Sequence, residues 1–121
     1  MSRHANATVL TVEDDPIVRA DLRLVLEDAG FEVLPDARDG LQAVELAREH
    51  RPDVILLDLG LPGLDGVEAT RRIRRERDVP VVALTGHREA VLVERAVEAG
   101  AAAVVLKPFR EETVVTTLQD A

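Results

Sequence analysis

The sequence predicts an α/β domain, a parallel sheet of five strands with helices on both of its faces. Three observations carry this. Short apolar runs alternate five times with longer segments whose apolar residues recur every three or four positions, the pattern of repeated β/α units joined by right-handed crossovers. The third run, Val54-Ile55-Leu56-Leu57, is unbroken and bounded by turn formers, as expected for a strand covered on both faces. The chain has 121 residues, 46% of them hydrophobic, which suits one domain with one core.

The elements follow in order. Met1 to Asn6 is a short polar lead-in. Ala7–Val12 reads as strand one, and Glu13-Asp14-Asp15-Pro16 follows it. Asp15 before Pro16 is a helix start, a cap followed by proline at the first helical position. Helix one carries apolar residues at Val18, Leu22, Val25, Leu26 and Ala29, one face of a 3.6-residue period, and Gly30 ends it. Phe31–Leu34 is strand two. Asp39-Gly40-Leu41-Gln42 reads as a capping box opening helix two, which runs to His50 before Arg51-Pro52 breaks it.

Strand three ends at Asp58. The loop Gly60-Leu61-Pro62-Gly63-Leu64-Asp65-Gly66 is rich in turn formers. Asp65 is placed to cap helix three, with Glu68 as its capping-box partner, and that helix ends by Glu76. Asp78-Val79-Pro80 turns into strand four, Val81–Leu84, which closes on Thr85. Gly86-His87-Arg88 is a loop, helix four covers Glu89–Ala99, and Gly100 stops it. Strand five is Ala102–Leu106. After Lys107-Pro108-Phe109 a last helix spans Arg110–Gln119.

Composition excludes several functions. A net charge of -8 argues against the domain as a whole gripping nucleic acid or an anionic membrane. Without cysteine there is neither a disulfide nor thiol chemistry. No apolar run is long enough to span a bilayer and no signal-peptide pattern opens the chain, so a soluble cytoplasmic domain is the expectation. With only Phe31 and Phe109 as aromatics, the core must be built from Val, Leu, Ile and Ala. Arg71, Arg72, Arg74, Arg75 and Arg77 form the one basic cluster, expected to be a solvated face of helix three.

Four strand ends carry chemistry: Glu13 and Asp14 after strand one, Asp58 after strand three, Thr85 after strand four and Lys107 after strand five. In an open α/β sheet these ends share the carboxyl edge, where ligands bind. Three carboxylates brought together cannot all stay ionised unless positive charge joins them. A hard cation and a lysine would supply it, and Mg²⁺ suits one or two carboxylates while leaving room for waters and phosphate oxygens. A carboxylate, Mg²⁺, a hydroxyl and an ammonium are the parts of phosphoryl transfer to an aspartate. Of 15 basic residues only Lys107 is a lysine, and it stands where a compact point charge is wanted rather than a planar fork.

From Thr8 to Leu118 the chain resembles a bacterial response regulator receiver domain, the phosphoacceptor of two-component signalling. The residues that carry the resemblance are Glu13-Asp14, Asp58 with Leu61-Pro62-Gly63-Leu64-Asp65-Gly66 behind it, Thr85, and Lys107-Pro108-Phe109. The resemblance implies a flavodoxin-like (βα)5 three-layer sandwich of strand order 2-1-3-4-5. It implies that Asp58 takes a phosphoryl group from the phosphohistidine of a sensor histidine kinase or phosphotransfer protein. Asp14, Asp58 and the Gly60 backbone carbonyl would bind Mg²⁺, with Mn²⁺ as a substitute, and Glu13 would act partly through water. Thr85 and Lys107 would hold phosphoryl oxygens, and the Lys107–Pro108 bond would be cis. His87, two after Thr85, and Gly60, two after Asp58, occupy positions that tune dephosphorylation. Residues 1–121 would be a single receiver, not an enzyme beyond self-catalysed phosphorylation and dephosphorylation at Asp58. Any output domain, with any nucleic-acid contact, would lie beyond Ala121. Helix four, strand five and helix five would form the switching face and a homodimer surface, with Ala90, Val91, Leu92 and Val93 nearby.

One position departs from the pattern. Receivers often carry Tyr or Phe three residues before the lysine; here it is Val104, so an aromatic switch is excluded. That departure motivates the alternative of a pseudo-receiver, a phosphorylation-independent interaction module. A haloacid-dehalogenase-like phosphatase is disfavoured, because Gly60 stands where its second acid would be, and a nucleotide-binding reading fails because strand one leads into acids rather than a glycine-rich phosphate cradle. The stretch Leu92–Ala96 followed by Ala99-Gly100-Ala101 is similar to receivers joined to the ANTAR RNA-binding domain.

Overall fold

The computed structural model of the chain describes residues 7–61, 65–86 and 90–121. Within them β1 (Thr8–Val12), α1 (Pro16–Asp28), β2 (Glu32–Val33), α2 (Gly40–His50), β3 (Val54–Asp58), α3 (Gly66–Glu76), β4 (Val81–Thr85), α4 (Ala90–Ala99), β5 (Ala103–Leu106) and α5 (Glu111–Asp120) alternate without exception. All strand pairs are parallel, and the sheet order is β2-β1-β3-β4-β5. This is the predicted flavodoxin-like order.

Side chains of a strand alternate between faces, and here each face has its own helices. Leu10, Val12, Ile55, Leu57, Val81 and Ala83 meet α2, α3 and α4. Val9, Val54, Leu56, Val82, Leu84 and Val105 meet α1 and α5. Every residue of β3 and β4 is buried, which is why their sequences are apolar up to the last residue rather than alternating. Each such Val, Leu or Ile contributes about 1.5–3 kcal/mol by leaving water.

The helix ends follow local chemistry. Asp15 Oδ1 accepts from the Ile17 and Val18 amides at 2.9 and 3.4 Å, leaving Pro16 where its missing N–H costs nothing. The two expected capping boxes form by half. Asp39 Oδ1 accepts from Gln42 N at 2.8 Å, but the Gln42 side chain accepts from Arg38 N, one residue before the cap. Asp65 Oδ1 accepts from Glu68 N at 2.8 Å, while the Glu68 carboxylate turns outward to Arg71 and Arg72. Gly30 and Gly100 take φ of 95° and 112° just past α1 and α4, where a Cβ would be strained.

Strand two is shorter than expected. The Phe31 amide donates to Leu26 O at 3.0 Å and still belongs to the helix end, and its ring is drawn into the core. Beyond β2 the chain stays beside β1, with an isolated bridge from Val12 to Ala37. Strand five begins one residue late, at Ala103, and α5 is shifted one residue, to Glu111–Asp120. The arginine cluster of α3 is tied into its surroundings: Arg71 and Arg72 pair with Glu68, Arg74 with Asp78, and Arg77 donates to Pro52 O. Among the described residues no helix is long and apolar enough to cross a membrane.

Candidate functional site

Register builds the site. Val12 pairs with Leu57, so the residues that follow, Glu13 and Asp58, leave adjacent strands side by side. Asp58 pairs with Leu84 and Thr85 with Leu106. The Leu59 amide donates to Leu84 O at 2.9 Å, and the Lys107 amide to Thr85 O at 2.7 Å. The ends of β1, β3, β4 and β5 therefore form one row along the carboxyl edge of the sheet.

In that row Lys107 Nζ lies 2.9 Å from Asp58 Oδ2 and 3.5 Å from Glu13 Oε1. Glu13, Asp14 and Asp58 each offer a carboxylate oxygen within 4.8 Å of the others. Glu13 and Asp58 are buried and Asp14 is exposed. The second oxygens are also engaged: the Gly60 amide donates to Asp58 Oδ1 at 2.9 Å, and the Asp15 amide to Glu13 Oε2 at 3.2 Å. Thr85 is fully buried at the end of β4. The Lys107–Pro108 bond is cis, as the resemblance implied.

Among the described residues the charges do not balance. Three carboxylates face one ammonium, a formal deficit that one divalent cation would fill. Glu13 registers the shortage. Burial above all, and the Asp58 charge with it, push its carboxyl up to about 7, against the opposing Asp15 amide and Lys107 charge. Lys107 is lowered by burial, but its hydrogen bond and attraction to Asp58, and the charge of Glu13, outweigh this and raise it above 10.5. An all-oxygen cluster with one open, exposed member matches the taste of Mg²⁺ for a few carboxylates and retained waters.

The other predicted positions are placed as follows. Gly60 is exposed beside Asp58. Val104 pairs with Ala83, is half-buried, and packs on the α2–α3–α4 side of the sheet. His87, with Pro62, Gly63 and Leu64 of the loop after β3, lies outside the described residues. On α4, Val91 is exposed, whereas Leu92 packs against the core, so the apolar run proposed as a dimer surface is divided between solvent and interior.

Sequence reasoning missed the brace behind the acidic pair. Arg19 Nη1 donates to the Glu13 carbonyl at 2.9 Å, and its Nε sits 3.5 Å from Asp36 Oδ2. Asp36 also accepts from Thr11 Oγ1 at 2.9 Å and Arg23 Nη2 at 3.1 Å. These are contacts between side chains and loops across long stretches of chain, and they leave no periodic trace.

Known proteins resemble this chain in sequence and fold. Residues 9–119 match the family model described as "Response regulator receiver domain". The chain is 40% identical over 111 residues to the transcriptional regulatory protein PdtaR of Mycobacterium tuberculosis, and 45% identical over 111 residues to CseB of Streptomyces coelicolor. Those matches cover 92% of this chain but 54% and 47% of the relatives, so the chain spans about half their length. The receiver domain of sensor histidine kinase PA1611 from Pseudomonas aeruginosa, solved with a magnesium ion coordinated in its active site cleft, superposes with a TM-score of 0.87 at 36% identity, covering 95% of this chain and 96% of that one. The chemotaxis response regulator CheY4 of Vibrio cholerae superposes at 0.86 with 33% identity, covering 95% and 98%. With its strand order, its edge of acids and lysine, and these matches, the chain belongs to the response regulator receiver domain family.

Proposed function

We propose that Asp58 accepts a phosphoryl group from the phosphohistidine of a sensor histidine kinase or phosphotransfer protein. The observation that carries this reading is the Asp58 carboxylate, held by Lys107 at 2.9 Å inside a cluster of three acids at the carboxyl edge of the sheet. An Asp58 oxygen attacks phosphorus, the P–N bond breaks as the P–O bond forms, and the imidazole leaves. Lys107 is already at the accepting group and would pair with the new phosphoryl oxygens, and the Thr85 hydroxyl would donate to one of them. Asp14, Asp58 and the Gly60 backbone carbonyl would hold Mg²⁺ or Mn²⁺, with Glu13 partly through water; that ion would neutralise charge on the transferred group. The magnesium in the PA1611 receiver supports this choice.

On this reading the chain is a cytoplasmic phosphoacceptor, not a turnover enzyme beyond its own phosphorylation and dephosphorylation. The face of α4, β5 and α5 passes the change to partners or a second copy. Transmission starts when Thr85 moves toward the phosphoryl group, and it proceeds through Val104 and the β4–α4 loop, which holds His87, without a ring. The intact site gives the pseudo-receiver alternative no support.

Intact mass after incubation with acetyl phosphate and Mg²⁺ tests the reading. One added phosphoryl group in the wild type, absent in Asp58→Asn, is the expected result. A wild type that binds Mg²⁺ yet gains no phosphoryl group would overturn it.

A further inference from the structure

We infer that Arg19 and Asp36 are positioning residues that set the affinity of the acidic cluster for its divalent cation. The inference rests on the phosphoacceptor reading for its purpose, but its test does not require phosphorylation.

The argument starts from one peptide. Glu13 and Asp14 are consecutive, and the Glu13 carbonyl belongs to the peptide unit that joins them. Fixing that unit fixes the directions in which both carboxylates leave the backbone. Arg19 Nη1 holds this carbonyl at 2.9 Å. The peptide on the other side of Glu13 is held as well, its amide donating to Ala37 O at 3.1 Å. Asp36 and Ala37 are neighbours, so the segment between β2 and α2 anchors Glu13 twice, through its own backbone and through the arginine.

Arg19 is in turn held in place. Its side chain is mostly buried, 16% exposed against 23% for Asp36. Asp36 is pinned by Thr11, a fully buried β1 residue two positions before Glu13. Its other partner, Arg23, contacts the Leu34 carbonyl, Asp36 and Glu27, none of which belongs to the acidic pair. A semi-buried ion pair aimed at the backbone of metal-ligand residues is the arrangement by which outer contacts orient inner ligands, and loss of such contacts weakens metal binding. The brace has a further effect. It stops two repelling carboxylates from swinging apart when no cation is present, so less ordering remains to be done on binding.

The arrangement provides its own control, because Arg19 and Arg23 share Asp36 while only Arg19 touches the Glu13 carbonyl. The experiment is Mg²⁺ titration by calorimetry on the full chain, for wild type, Arg19→Ala, Arg19→Lys, Arg23→Ala and Asp36→Asn, with thermal melts of each. Arg19→Ala is expected to weaken Mg²⁺ roughly tenfold. Arg19→Lys, which can reach one partner but not fork between two, should recover part of that. Asp36→Asn should fall between the alanine variant and wild type. Arg23→Ala should lower the melting temperature as Arg19→Ala does, yet bind Mg²⁺ within about twofold of wild type.

An Arg19→Ala protein with wild-type Mg²⁺ affinity would overturn the inference. So would an Arg23→Ala protein weakened as much as Arg19→Ala, since the effect would then be general loosening, and so would a wild type that binds no Mg²⁺. Where Mg²⁺ binds in an Arg19-dependent way but Asp58 gains no phosphoryl group, the phosphoacceptor reading fails and the positioning role stands. Where Asp58 is phosphorylated and the affinity ignores Arg19, only the positioning role fails.

Discussion

Burial at the end of β1 makes Glu13 a carboxyl that holds its proton near neutral pH. Its carboxyl titrates at about 7 rather than at its ordinary 4.5. A carboxyl raised by folding stabilises the folded state while protonated, so its contribution is full below the ordinary value and is lost as pH rises through about 7. The thermal midpoint of the cation-free domain should therefore fall between about pH 5 and pH 8, and Glu13→Gln should flatten that slope. Lys107 adds nothing to this window, because a group raised above 10.5 loses its contribution only at higher pH. If Mg²⁺ occupies the acidic cluster as proposed, it competes with the Glu13 proton, so its affinity should rise with pH through the same range, and calorimetry in two buffers of different ionisation heat should show proton release. Lys107→Arg should keep the domain folded but slow phosphoryl uptake by about tenfold or more, since a planar fork does not fit a point contact shared by Asp58 and Glu13. The acids and the lysine were legible in sequence because each directly follows an apolar run. Arg19 and Asp36 were not, since either reads as an ordinary surface charge until the fold brings them together.

At the scale of elements, α3 presses directly on the strand that carries Asp58. A Cβ built on Gly66 would lie 2.6 Å from Leu59 Cα, 2.7 Å from the Asp58 carbonyl oxygen and 2.9 Å from Leu57 Cδ2. Two of these are backbone atoms and cannot step aside. Gly66→Ala should thus cost about 1–3 kcal/mol in a denaturant melt, and it should slow phosphoryl uptake because relief of the clash moves the Asp58 backbone. Thr70 Oγ1 donates back to Gly66 O at 2.8 Å within the first turn of the same helix. The glycine was legible only as a turn former; its closeness to β3 is a tertiary fact. The capping boxes show the same limit. Sequence named the caps Asp15, Asp39 and Asp65 correctly, because a cap is decided within one turn. It did not foresee that Glu68 would prefer two arginines, or that Gln42 would reach past its cap, because those choices depend on neighbouring side chains. Strand two shrank for a similar reason: the end of α1 retained Phe31.

Across the whole molecule, β3 is the strand on which both layers converge, with Leu56 facing α1 and α5 and Leu57 facing α2 and α3. Leu56→Ala should cost about 2–5 kcal/mol, a large share of the 5–15 kcal/mol typical of a domain, and would be read from the denaturation midpoint. The alternation of elements was plain from periodicity alone. The strand order was not; it came with the resemblance, since local pattern does not say which strand lies beside which. Val104 has one more consequence. The chain holds neither tryptophan nor tyrosine, so it is nearly dark in ultraviolet fluorescence. Val104 is half-buried on the β5 edge strand, paired with the residue two before Thr85. A fluorophore installed as Val104→Trp would be the sole emitter in the molecule. Any change in its colour or anisotropy when phosphodonor is added would come from that single spot, turning the missing ring into a silent background against which the signal can be timed.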